Sequence, residues 1–255
     1  MSWRADPKLP ELVRTRLGAL CDQLARELGS DLEAVLLWGA LARGDEFYPR
    51  TTRVELLIAL REVHAAALSR VAPALRRARQ GLRVTVMVVT RDDLRRSTDV
   101  FPTKFAHMRA HHLLLHGVDP LAGCEVSPEH LRLRCEQELR NLQLRLRAAY
   151  MGVADQEAEA LRLLGDMGVD FVEHLRTLLE LRAGQAPSTM AEVVEAVGPL
   201  ELEKAVLEEL LAIHRGRYQP AGEELRRLVE RFLTATDRAA HLADSHAAGD
   251  PGGQA

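Results

Sequence analysis

The stretch LLWGALARGDEFYPRTTRVELLIAL, residues 36–60, decides how the rest of the chain is read. An apolar run, Leu32 to Trp38, ends at Gly39. A polar segment containing Gly44 follows, and a second apolar run closes the unit from Val54 to Leu60. Two short apolar runs bounded by turn residues predict strand, loop or short helix, strand. The second run is apolar apart from Glu55, as expected of a strand covered on both faces.

Outward from this unit, the N-terminal side predicts a helix over 10–28. Val13, Leu17, Leu20, Leu24 and Leu28 recur at helical spacing, with Pro10 in the first turn and Gly29 as the stop. Residues 1–8 predict a loose arm. On the C-terminal side, 62–80 predicts a helix that Pro73 kinks or divides. Leu82 to Val89 is β-branched and predicts a third strand. Thr90 and Asp93 have the spacing of a capping box. Two short strands are expected at Phe105–Arg109 and His112–Leu115, and 117–123 is turn-rich.

From Ser127 the pattern becomes helical. Ser127-Pro128-Glu129 combines a cap, a first-turn proline and an acid at the positive end of the helix dipole. Leu131, Cys135, Leu139, Leu142, Leu146 and Tyr150 form a long stripe. Further helices are expected near 155–165, 168–183, 190–197, 200–214 and 221–243, with a frayed tail from Asp244. The organisation expected is therefore an α/β domain with a small mixed sheet over 1–123, an all-helical bundle over 124–243, and a disordered tail over 244–255.

Three stretches resemble segments of the nucleotidyltransferase superfamily, which includes the small-alcohol and aminoglycoside nucleotidyltransferases. The stretch 36–60 resembles that superfamily's loop, in which Gly-Ser follows a strand, a second Gly comes later, and Asp-x-Asp opens the next strand. DVFPTKFAHMRAHHLLLHGVDPL, residues 99–121, resembles a segment of bacterial nucleotidyltransferase-like proteins. CEQELRNLQLRLRAAY, residues 135–150, resembles the helix that opens their helical domain.

The resemblance implies a nucleotide site and also alters it. Gly39 and Gly44 match the glycines, where backbone can approach phosphates. The serine position is Ala40, which has no hydroxyl. The paired acids are Arg53 and Glu55, so one magnesium ligand is replaced by a cation that repels the ion. The third acid, general base in the superfamily, is expected on LRVTVMVV, residues 82–89, which contains no Asp or Glu. What this implies is a catalytically degenerate protein that needs no cofactor and keeps a nucleotide-binding or protein-interaction role. The alternative is an active magnesium-dependent transferase acting on a small hydroxylated substrate, with the metal on Asp45, Glu46 or Glu55. Lys104 and Arg109 are expected beside the cleft, to meet a nucleotide phosphate or an acidic partner.

Composition bounds the rest. The 255 residues carry a formal charge of −3 and 4% aromatics, which disfavours a nucleic-acid surface. No run approaches the roughly 18 apolar residues of a membrane span, and MSWRADPKLP lacks a signal-peptide core. Cys21, Cys124 and Cys135 are an odd number without metal-ligand spacing, consistent with reduced thiols. A cytoplasmic protein is expected. A weakly bound nucleotide or a protein partner, and a homodimer through the leucine-rich helices, are compatible with the sequence. His107, His111, His112 and His116 are read as ordinary polar positions on a strand-like segment.

Overall fold

The computed structural model describes residues 6–184 and 186–245. It forms two compact units that divide between Ser127 and Pro128. Expectations for residues 1–5 and 246–255 lie outside the described residues.

The first unit opens with α1, Glu11–Leu28, whose apolar stripe is fully buried. A 3-10 turn leads into β1, Leu32–Trp38, followed by the single turn of α2, Ala40–Arg43. Then come β2, Arg53–Leu60; α3, Ala65–Ala78; and β3, Arg83–Val89. Two short helices follow, α4 at Arg91–Ser97 and α5 at Pro102–Ala110, and β4, His112–Gly117, completes the sheet. The strand order is β3-β2-β1-β4. β1 pairs antiparallel with both β2 and β4, while β2 and β3, joined through α3, run parallel.

The central strands β1 and β2 are apolar because both faces are covered. On one face, Val13, Leu17 and Leu24 of α1 and Val71 and Ala74 of α3 pack on Val35, Leu37, Leu56 and Ile58. On the other, Leu94, Phe105, Met108, Leu121 and Cys124 cover Ala34, Leu36, Leu57 and Ala59. That second cover ends before the start of β2. Val54, pointing to the first face, is fully buried; Arg53 is exposed and Glu55 half-buried.

One expectation for this unit is corrected, and one is narrowed. Phe105–Arg109 is not a strand but part of α5. Pro102 starts that helix, and Phe105 and Met108, three apart, supply its buried side. Pro73 does not divide α3. The carbonyl deprived of its donor belongs to Ser69, an exposed residue, so water can satisfy it. The Thr90–Asp93 capping box is present in both directions.

The second unit is all helical: α6, Pro128–Met151; α7, Glu157–Ala183; α8, Met190–Glu195; α9, Lys204–His214; and α10, Gly222–Ser245. Its core includes Leu139, Leu146, Leu164, Leu175, Leu207, Leu210 and Leu228. Phe171 and Phe232 meet with ring centroids 5.5 Å apart. The break expected between 165 and 168 is absent, because the glycines there are packing residues. A Cβ on Gly168 would stand 2.6 Å from that of Leu210, and one on Gly165 3.1 Å from the His214 backbone. Helix α10 also continues to Ser245, past the expected end at 243. Arg176, 1% exposed, donates to the carbonyls of Pro187 and Ser188 and pairs with Glu173 at 3.3 Å.

No described helix is long and apolar enough to cross a membrane.

Candidate functional site

Strand β1 delivers the chain to Gly39, which adopts φ 77° and ψ −155°. Only glycine enters that region without strain. The turn of α2 follows, and Gly44, at φ 89°, ends it in the left-handed conformation. Ala40 stands at the first position of α2, half-buried.

The return strand brings Glu55 opposite Trp38. A side chain on residue 39 would overlap the Glu55 carboxylate, so this acid lies directly against the Gly39 backbone. Only a residue without a Cβ allows that approach.

Register then fixes the neighbours. Residues directly opposite on adjacent strands share a face. Thr85, Glu55, Trp38 and His112 therefore form one row across β3, β2, β1 and β4. The next row outward is Arg83 beside Arg53. The residues of β3 on this face are Arg83, Thr85, Met87 and Val89, none of them acidic. Arg83 donates to the Thr51 carbonyl at 3.0 Å.

Lys104, on α5, places its ammonium 5.8 Å from the ring centroids of both Trp38 and Phe101. It thus stands on the same face as Glu55, one strand away. Arg109 is placed differently. Its guanidinium donates to the Cys124 carbonyl at 2.8 Å, tying α5 to the link after β4. Burial pushes the Cys124 thiol up, and Arg109 partly opposes this.

The alternative metal ligands are engaged in the loop. Asp45 pairs with Arg43 at 3.4 Å, with side chains 11% and 5% exposed. Glu46 accepts a hydrogen bond from the Tyr48 hydroxyl. Among the described residues, no group of three or more His, Cys, Asp or Glu side chains is placed to hold a metal ion. The four histidines separate: His107 lies on α5, His111 at its C-terminal cap, and His112 and His116 on β4. His112 donates through Nδ1 to the Met108 carbonyl at 2.8 Å, and its Nε2 lies 3.3 Å from Asp119.

Gly39, Ala40, Arg53 and Glu55 thus meet at one open corner of the sheet, with Gly44 one helical turn away and Lys104 nearby. Arg83 and Thr85 complete this corner and are not site candidates in the sequence reading. The signal available was the alternation Arg83-x-Thr85, which puts both on one face of a strand, but only the parallel pairing with β2 shows that this is the face of Glu55.

No protein-family profile matches the sequence, and no curated protein matches it. Among solved structures, the chain is similar to spectinomycin adenyltransferase AAD(9) from Enterococcus faecialis, determined with ATP and spectinomycin. The identity is 11% and the TM-score 0.55, over 88% of this chain and 98% of the other. The chain therefore shares the fold of that adenyltransferase: a mixed four-stranded sheet with helices, followed by an all-helical region.

Proposed function

We propose that this is a nucleotidyltransferase-fold protein that does not transfer nucleotides and that uses the corner around Glu55 for binding. The observation that carries this reading is the pair Arg53 and Arg83, side by side at the place where the fold's chemistry calls for carboxylates. Magnesium-assisted transfer needs acids that hold the ion against the phosphates and a base for the incoming hydroxyl. Here one acid, Glu55, is packed against Gly39, with two guanidinium groups at its end of the sheet. A divalent ion placed there meets two like charges and one acid. The Ala40 side chain cannot donate to a phosphate. The likeness to an adenyltransferase supports the shape of the site, and its altered residues support the loss of the reaction.

The test is turnover. The protein is incubated with each of ATP, GTP, CTP and UTP, magnesium and a panel of hydroxylated acceptors that includes spectinomycin, and pyrophosphate release is followed. The expected result is release no faster than that of a Glu55→Ala variant. Magnesium-dependent release that the variant abolishes would overturn the reading.

A further inference from the structure

We infer that the open corner of the first unit's sheet binds a phosphate-bearing anion directly, without a divalent ion, through Arg53 and Arg83. The inference rests on the non-catalytic reading above and gives that site its ligand class.

Adjacent strands are about 4.8 Å apart, so two arginines in register can converge on one phosphate or on neighbouring phosphates of one chain. Both arginines are exposed on the face that α4 and α5 leave uncovered. Like charges directly opposite each other on a sheet are destabilising in the free protein. An anion between them removes that repulsion. Arg83 is partly oriented already by its bond to the Thr51 carbonyl at 3.0 Å. Among the described residues Arg53 pairs with no acid. Glu55, the one acid of the next row, lies against Gly39. Thr85, exposed beside it, adds a hydroxyl donor, and Lys104 a third cation on the same face.

The consequence differs in kind from a metal-dependent site. In such a site the ion bridges carboxylates to phosphates, and removing it abolishes binding. Guanidinium groups engage phosphate oxygens themselves, in bidentate geometry. Magnesium here would compete, because it masks the same oxygens.

The experiment is calorimetric titration of the full chain with ATP and with inorganic tripolyphosphate, in EDTA and in excess magnesium. The expected result is a single site in EDTA that magnesium does not strengthen. Affinity should fall at least about tenfold in the Arg53→Gln/Arg83→Gln variant, and also in Arg53→Glu alone. Equal affinity for the two ligands assigns the site to phosphate only; tighter ATP adds a nucleoside contact, and both outcomes agree with the inference. Both side chains are exposed, and a thermal melt checks that each variant is folded. Absence of binding in EDTA, or binding that the folded variants retain, overturns the inference while leaving the non-catalytic reading in place. Magnesium-dependent binding with pyrophosphate release would overturn both.

Discussion

The Glu55 carboxylate occupies the space that a side chain on Gly39 would fill. This one relationship joins the end of β1 to the start of β2, and it places the site's remaining acid against backbone.

Gly39→Ala is therefore expected to destabilise the first unit by at least about 2 kcal/mol, since it adds backbone strain to a collision. Glu55→Ala in the same chain relieves the collision and leaves the strain. Urea denaturation of the single and double variants should show Glu55→Ala costing less in the Gly39→Ala background than in the parent. Strict additivity would contradict the packing described.

Thr90 caps α4, accepting from the Asp93 N–H at 3.1 Å while Asp93 accepts from the Thr90 N–H at 2.8 Å. Thr90→Ala should cost about 1 kcal/mol, and Thr90→Ser much less. Equal losses for the two substitutions would show that the hydroxyl is not the stabilising group.

In the second unit, Arg176 satisfies two backbone carbonyls from a position 1% exposed. Arg176→Met keeps much of the apolar volume and removes the donors, so it should cost about 3 kcal/mol. A denaturation midpoint unchanged from the parent would count against this clasp.

His174, on α7, gives a pH dependence. Burial lowers its pKa below the ordinary 6.5, outweighing the opposite pull of Glu138, Asp170 and Glu173. The unfolded chain then takes up a proton more readily than the folded one once the pH drops below about 6.5. Stability should fall through that range and on toward the lower folded pKa, and His174→Gln should flatten the fall. Denaturation curves at about pH 7.5 and about pH 5.5 provide the comparison. An equal fall in parent and variant would contradict the assignment.

Much of this fold is legible in the sequence where burial is two-sided. Leu32–Trp38 and Val54–Leu60 announce strands because apolar runs broken only by Glu33 and Glu55 have few other uses at that length, and Gly39 marks where the chain must turn. Phe105–Arg109 misleads because a nine-residue helix buries only two large apolar side chains, Phe105 and Met108, beside Pro102 and Thr103, too little to establish a period. Gly165 and Gly168 mislead for a different reason. A glycine inside a helical pattern can be the point where another helix approaches, and nothing local distinguishes this from a break. The alteration of the site at Ala40 and Arg53 is visible in the residues themselves. The partnership of Arg53 with Arg83 is not, because strand pairing across an intervening helix is a tertiary fact.

On the proposed reading, the altered corner does not seat a divalent ion on Glu55. Manganese titration followed by electron paramagnetic resonance, with and without a non-hydrolysable ATP analogue, decides this. No protein-bound manganese is expected beyond what the nucleotide itself carries, with spectra identical for the parent and Glu55→Ala. A stoichiometric manganese signal in the parent that Glu55→Ala removes would contradict it.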